Sequence, residues 1–356
     1  MAKSCVHFGI CGGCSFQNMS QEAYRAMKRD VVVTALTRVG LSAVQVNPPL
    51  EVPDLSRRRA VFKLRKMEAG LEVGFHAAKS HAIVDMHECL VLTPALFNLA
   101  QTLRAALGPV MNYGEAAEAH VTQADNGLDV GLRWARKLTP SLTTDLAKAF
   151  SGKGIVRILV NNDIVREEAV PMVKLGGAEV ALPPLAFLQA TREGEQALQD
   201  HVRTLAKGAK NIADLFAGLG TFTLALAQQA RVHAVEQDAV ALAALAAAAR
   251  NTSGLKPITI ERRDLFKQPL SAGELKQFDM LVLDPPRAGA EAQIREAANS
   301  GLRRIAYVSC DAGSFARDAA ILIKAGFRPG PVTPIDQFRY SGHIELVGSF
   351  ERVKAK

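Results

Sequence analysis

The groups in this sequence best suited to chemistry are five cysteines and a few carboxylates at the ends of apolar runs. Cys310 follows the run Arg304-Ile305-Ala306-Tyr307-Val308 and sits in Ser309-Cys310-Asp311. A cysteine delivered at a strand end can act as a nucleophile. Its free pKa, about 8.5, leaves it mostly a thiol until a neighbour helps it ionise; a buried core cysteine is the plain alternative. Glu345 alternates with His343 along an expected strand, His343-Ile344-Glu345. A carboxylate beside a cysteine nucleophile is a candidate general base, although taken alone it reads as a surface residue. Asp284 ends another apolar run, 278–283, and opens Asp284-Pro285-Pro286-Arg287-Ala288-Gly289, a loop stiffened by two prolines.

The stretch that organises these groups is Asp214-Leu215-Phe216-Ala217-Gly218-Leu219-Gly220-Thr221. It reads as a turn from a buried strand into an Ala- and Leu-rich helix. The carboxyl end of a strand in an open α/β sheet is where ligands bind, and Gly218 and Gly220 allow a tight turn with close backbone approach. The pattern is Gly-x-Gly without the third glycine of a dinucleotide site, since Thr223 takes that place. Glu236 ends the next strand, 22 residues after Asp214, a spacing at which an acid commonly takes a ribose hydroxyl pair. A ribose without a diphosphate fits S-adenosyl-L-methionine better than NAD. In enzymes that methylate amines, a loop like 284–289 places an aromatic residue on the target base; Arg287 in that position argues against an exocyclic amine.

A second cysteine set lies at the N-terminus. Cys5, Cys11 and Cys14 are spaced C-x5-C-x2-C around Gly12-Gly13, and Cys89 follows in His87-Glu88-Cys89. Four thiolates hold a [4Fe–4S] cluster or a zinc ion, and spacing alone leaves both open.

The elements needed to position these residues can be read in outline. Ser20 to Gly40 reads as a helix with Ser20 as N-cap. Residues 57–76 read as paired strands whose basic members alternate with apolar ones, either a face that meets phosphates or a solvated one. A helix is expected over 93–108, short strands near 118–134 and 155–160, and a helix near 141–150 between them. Trp134 reads as a core or hinge residue rather than a base-stacking one. A boundary falls at Pro183-Pro184, followed by a helix from about 192 to 207. Strands are expected at 211–215, 232–236, 258–260, 278–283, 304–309 and 344–350, alternating with helices, which argues a doubly wound α/β sheet. The 356-residue chain carries a net charge of +8, spread evenly along it, which favours an acidic partner such as RNA without locating it. No apolar run is long enough for a membrane span and no secretory leader is evident, so a cytoplasmic location is expected.

Together these pieces resemble the RNA uracil-C5 methyltransferases. The matching residues are the four cysteines, Phe187-Leu188-Gln189, the 214–220 turn, Asp284-Pro285-Pro286-Arg287, Ser309-Cys310-Asp311 with Ala316-Arg317-Asp318, and His343-Ile344-Glu345. The resemblance implies a Rossmann-like methyltransferase domain over 191–356 and an N-terminal α+β domain over 1–190 that carries the metal site and binds RNA. It implies Cys310 as nucleophile and Glu345 as base. Gln189, Phe216, Gly218, Gly220, Glu236, Asp264 and Asp284 would hold S-adenosyl-L-methionine, and Cys5, Cys11, Cys14 and Cys89 a [4Fe–4S] cluster. The layout is similar to the iron–sulfur members without a preceding TRAM domain, most of which act on 23S rRNA, and implies a monomer. The chain departs from the usual pattern at Thr191, Thr221, Asp311-Ala312 and Arg339-Tyr340; none of these removes a group the mechanism needs.

Overall fold

The computed structural model describes residues 4–352. Ser20 caps the first helix, α1 (Gln21–Arg38), accepting from the Ala23 amide, a bond that satisfies a donor the helix leaves open. Its buried residues Tyr24, Lys28, Val32 and Leu36 recur at every fourth position as one stripe. After the two-residue strand β1 (Leu50–Glu51) the chain builds β2 (Arg59–Met67), β3 (Gly70–His76), β4 (Ile83–Asp85), α2 (Pro94–Leu107), β5 (Ala116–Gln123), β6 (Leu128–Trp134), α3 (Pro140–Ala149), β7 (Ile155–Val160) and β8 (Asp163–Glu167). These strands form a seven-stranded sheet in the order β4-β3-β2-β5-β6-β7-β8. All neighbours are antiparallel except β6 and β7, where α3 carries the chain across. Phe62, Leu64, Val73 and Val130 pack beneath α2 and α3 against Leu99, Leu103 and Leu146, and Trp134 joins this core. Alternation puts Arg59, Lys63 and Arg65 of β2 on the opposite face.

The hairpin of β9 (Met172–Leu175) and β10 (Ala178–Ala181) leads to α4 (Arg192–Leu205). Then follow β11 (Asn211–Leu215), α5 (Thr223–Leu226), β12 (Arg231–Glu236), α6 (Ala239–Asn251), β13 (Ile258–Arg262), α7 (Ala272–Leu275), β14 (Met280–Leu283), α8 (Glu291–Asn299), β15 (Arg304–Ser309), α9 (Ala312–Lys324), β16 (Phe327–Pro329), β17 (Thr333–Asp336) and β18 (Glu345–Arg352). The second sheet runs β1-β17-β18-β15-β14-β11-β12-β13, with β16 beside β18. Strands β15-β14-β11-β12-β13 are parallel, and β18 is antiparallel to β15. Leu281 and Leu283 enter one core layer while Met280 and Val282 enter the other, so β14 is apolar on both faces, as a doubly covered parallel strand must be.

Three local readings change in the structure. The Ala- and Leu-rich run after the glycine turn forms only the single helical turn α5. Strand β18 begins at Glu345; His343 lies exposed in the bend before it, not beside Glu345 on the strand. Residues 333–336 form a strand despite Pro334.

The two sheets share chain segments across residue 190. Val32 and Leu36 of α1 are fully buried in the core of the larger sheet, with Phe315 and Leu322 of α9; each contributes roughly 1.5–3 kcal/mol by burial. Strand β1 pairs with β17. Val173, Leu175 and Val180 of the β9–β10 hairpin pack on Leu242 and Leu245 of α6. Residues 21–51 and 172–181 thus complete the C-terminal core. Arg58 ties the units at their junction: its guanidinium meets buried Glu195 at 2.6 Å and donates to the Gln189 carbonyl at 3.2 Å.

Candidate active site

Strand order reverses between β11 and β14, with β12 and β13 on one side and β14 and β15 on the other. The carboxyl ends of the strands open a crevice there. Phe216 leaves β11 at φ +62°, and Gly218 and Gly220 follow at +53° and +93°. The two glycines serve different needs. A Cβ on Gly220 would lie 2.4 Å from Leu245 Cδ1, so helix packing demands glycine; a Cβ on Gly218 would meet nothing within 4 Å, so the backbone borders open space. Glu236, at the end of β12, accepts from the amides of Gly218, Gln237 and Asp238 at 3.1, 2.7 and 2.9 Å. These bonds fix its carboxylate at the rim. The Phe216 ring lies against Phe266, centroids 5.5 Å apart, and Asp264 accepts from the Phe266 amide. Lys267, 2.9 Å from Asp264, holds that carboxyl below the usual range. Asp214 is fully buried beneath the turn. Thr223 donates to one of its oxygens at 2.5 Å, the other has no partner among the described residues, and burial pushes the carboxyl up to about 7.

The reactive candidates lie one strand further along. Cys310 ends β15, half-buried, while Asp311 caps α9 by accepting from Ser314 N at 2.7 Å. Glu345 enters the site from the adjacent β18 and is buried. Burial pushes the thiol up to about 11, reinforced by the charges of Glu345 and Asp284 and opposed by Arg287. Burial and Asp284 push Glu345 up to about 8, opposed by Gln337, Arg59 and Arg287; burial alone takes Asp284 to about 7. Two glutamines bridge the acids. Gln189 Nε2 donates to Asp284 at 3.4 Å, Gln337 Nε2 donates to Gln189 Oε1 at 2.7 Å, and Gln337 also hydrogen-bonds Glu345. Cys310, Glu345, Asp284, Arg59 and Arg287 therefore lie within electrostatic reach of one another, linked through two amides, and the ionisation of Cys310 and Glu345 depends on their neighbours.

The loop between β17 and β18 is clamped by α1. Lys28 and Asp336 pair at 2.7 Å with both side chains fully buried, and the ammonium donates to the carbonyls of Phe338 and His343 at 3.2 and 2.5 Å. The Tyr24 hydroxyl donates to Asp336 at 2.5 Å and accepts from the Tyr340 amide. On the other side of the site, Asp318 accepts from the Ala290 amide and the Tyr307 hydroxyl, and Arg317 donates to the Ala288 carbonyl. These bonds hold the loop that follows Asp284.

Cys5, Cys11, Cys14 and Cys89 line one cavity together with Gln17, Phe75, Met86 and Arg57. Cys5 N–H donates to Gln17, and burial raises the thiols of Cys5 and Cys89 and takes that of Cys14 to about 11. Among the described residues, no three His, Cys, Asp or Glu side chains are grouped as ligands of one metal ion. The amides of Ser15 and Phe16, just after Cys14, donate to the Tyr340 carbonyl at 2.7 and 3.2 Å, so the cysteine loop abuts the clamped catalytic loop.

Several contributors escaped the sequence reading. Gln337 is the link between Gln189 and Glu345, and its only signal was an amide at the end of the apolar run Pro334-Ile335. Lys28, Tyr24 and Asp336 carry no local motif, because their partners are more than 300 residues apart in the chain. His343 pairs with Arg287 at 3.2 Å rather than with Glu345.

Residues 178–352 match the model of the tRNA (Uracil-5-)-methyltransferase family. An RNA methyltransferase of Rhizobium meliloti, itself uncharacterized, is 43% identical over 98% of this chain and 85% of its own length. The 23S rRNA (uracil(1939)-C(5))-methyltransferase of Aeromonas hydrophila is 29% identical over 99% of this chain and 82% of its own. Among solved structures, Pyrococcus abyssi tRNA (uracil-54, C5)-methyltransferase, in complex with S-adenosyl-L-homocysteine, aligns with a TM-score of 0.75 at 21% identity, covering 98% of this chain and 88% of that one. Both halves of the chain, with their two sheets, fall within these alignments. The chain belongs to the RNA uracil-C5 methyltransferase family.

Proposed function

We propose that the protein transfers the methyl group of S-adenosyl-L-methionine to C5 of a uridine in 23S rRNA. The observation that carries this reading is the convergence of Cys310, Glu345 and Asp284 within reach of one another's charges, with Gln189 and Gln337 bridging the two carboxyls. The crevice suits the donor: Gly218 borders open space, Asp214 keeps an oxygen without a partner among the described residues, and Glu236 stands at the rim. Phe216, Gly220, Asp264, Asp284 and Gln189 complete the proposed lining. Bound there, S-adenosyl-L-methionine supplies an electrophilic methyl group.

Uracil C5 is too weak a nucleophile to take that methyl directly. The Cys310 thiolate forms a bond to C6, the C5–C6 π electrons move toward O4, and C5 of the resulting enolate takes the methyl as the donor's S–CH3 bond breaks and its sulfur leaves as a neutral thioether, S-adenosyl-L-homocysteine. Glu345 removes the C5 proton, the double bond re-forms, and Cys310 leaves as thiolate. One difficult substitution becomes two easier steps. Burial favours the protonated form of both groups. Arg59, Arg287 and the positive charge of the donor all favour their ionised forms.

Cys5, Cys11, Cys14 and Cys89 would hold a [4Fe–4S] cluster. Their convergence on one cavity supports this. A cube of four irons spreads its thiolates more widely than a single zinc ion with Zn–S bonds of about 2.3 Å does. Methyl transfer moves no net electrons, so such a cluster would support the fold or place the RNA rather than act in redox chemistry. Anaerobically purified protein should contain iron and show broad visible absorbance; zinc without iron would contradict the assignment.

The rRNA substrate is supported by the cysteine set and the Aeromonas relative; the matched family's description favours tRNA as the second reading. Incubation with labelled donor and separate pools of unmodified 23S rRNA and tRNA, then nucleoside analysis, decides between them. Label in 5-methyluridine from rRNA alone is the expected result. Label from tRNA alone would keep the chemistry and replace the substrate.

A further inference from the structure

The sequence Arg57-Arg58-Arg59-Ala60-Val61-Phe62-Lys63-Leu64-Arg65 divides by strand alternation into two sets with different work. Phe62 and Leu64 are fully buried in the core, and Arg58 is the buried tie to Glu195. The odd-numbered residues line the open side. Arg57, Arg59 and Val61, with His120, Thr122 and Phe338, surround a hollow of about 280 Å³ at the catalytic end. Lys63 and Arg65, with His76, His81 and Arg133, line a second hollow of about 490 Å³ further along the same face. The two hollows are joined along β2, where Val61 and Lys63 stand opposite His120 and Glu118 of β5.

The near end of this row reaches the proposed chemistry. The Arg59 guanidinium covers the ring of Phe187 at 4.1 Å and lies close enough to Glu345 for their charges to interact. Phe187 is 65% exposed, an unusual setting for a large aromatic beside a buried catalytic pocket. The Arg57 guanidinium lies over Phe338, 5.4 Å from the centroid. The acids on the face are matched by cations: Glu118 pairs with Lys63 and sits 3.4 Å from His120, Asp129 is held by Arg157 in a two-pronged contact, and Glu72 stands opposite Arg65 in the sheet register. Arg133 and Arg65 are exposed. The face carries a surplus of positive charge in line with the pocket.

We infer that the single-stranded RNA flanking the target uridine runs along the open face of β2, from an Arg59–Phe187 stacking platform to phosphate contacts at Lys63, Arg65 and Arg133. The inference rests on the function proposed above and specifies where its substrate lies. Single strands are held by this combination of a basic track and an aromatic or guanidinium plane for a base. A base that has left the stack for the Cys310 pocket must leave its neighbours close by, and the track begins where they would emerge.

The test is the salt dependence of binding to a fluorescein-labelled poly(U) strand long enough to cover the face. Each phosphate contact on a single strand contributes about 0.7 to the slope of log affinity against log salt. Lys63→Gln/Arg65→Gln should therefore lower the slope by about 1.4, with donor affinity and melting temperature unchanged. Lys207→Gln/Lys210→Gln, two exposed lysines near the opposite, amino end of β11, should leave the slope as it is. Equal slopes for the first pair and the unaltered protein would overturn the track. Failure of the unaltered protein to methylate any RNA would instead remove the reading on which the track rests.

Discussion

Cys310 and the four N-terminal cysteines place the same side chain in two settings. Cys310 stands at a strand end among Glu345, Asp284 and Arg287, beside an open crevice. Cys5, Cys11, Cys14 and Cys89 line one cavity together with Arg57, Glu88 and His7. All five are partly buried and unpaired as disulfides. What separates them is the neighbour set. Cys310 has Glu345, Asp284 and Arg287 around it, whereas each N-terminal thiol shares its cavity with three others, the set proposed above as metal ligands. Function follows from what surrounds each sulfur, not from burial, which pushes Cys14 and Cys310 alike up to about 11.

The sharpest way to break this contrast is to remove one thiol from each setting. Cys310→Ala should lower methyl transfer by at least about 10⁴-fold, because the covalent route has no substitute. Its iron content and donor affinity should match those of the unaltered protein. Cys89→Ser should do the reverse, losing bound iron while Cys310 can still be alkylated in the folded fraction. A Cys310 variant that retained activity, or a Cys89 variant that retained full iron, would merge the two settings.

A second test targets the clamp between them. Lys28→Met leaves Asp336 buried without its cation, which should cost about 3–5 kcal/mol in urea unfolding. Lys28→Met/Asp336→Leu removes both charges and should recover part of that stability. If the clamp also positions Gln337 and Glu345, kcat of the double variant should stay low while KM for RNA changes little. Recovery of stability and kcat together would make the pair structural only.

The smallest effect is electrostatic. Glu345 has its pKa raised to about 8 by burial and Asp284. A raised carboxyl favours the folded state while it is protonated; that contribution is complete below about pH 4.5 and is lost as pH rises through about 8. Glu345→Gln cannot ionise, so between pH 5 and 8 its unfolding free energy should gain on that of the unaltered protein by on the order of 3 kcal/mol. A pH-independent difference would mean that Glu345 is not the strained acid.

The methyltransferase end of the molecule was largely legible in the sequence. Its parallel strands are short apolar runs, and each ends in a residue that marks the crevice: Phe216, Glu236, Asp284 or Cys310. Gly218 and Gly220 announce a backbone that most residues cannot adopt. The N-terminal half was legible as elements but not as allegiance. The stripe of Val32 and Leu36 shows that α1 has a buried face; nothing local says that this face belongs to α9. Strand β17 was hidden by Pro334, and the helix expected after the glycine turn is a single turn, whose end accepts from the Lys256 amide. Lys28 reads as a solvated lysine until the chain returns at Asp336 to bury it. Residues 57–76 read as paired strands with basic and apolar members alternating, but nothing local says that Arg58 is the buried tie to Glu195 while Arg57 and Arg59 line the open face.

The most direct test of the central claim is capture of the covalent intermediate. RNA carrying 5-fluorouridine at the target position cannot release its C5 substituent as a proton, so the reaction should halt with the nucleotide bound to the enzyme. Incubation with donor, digestion and mass spectrometry should place the methylated fluorouridine on the peptide containing Cys310, with no adduct in Cys310→Ala. An adduct that survives in Cys310→Ala, or one mapped to another cysteine, would contradict the assignment of Cys310 as nucleophile.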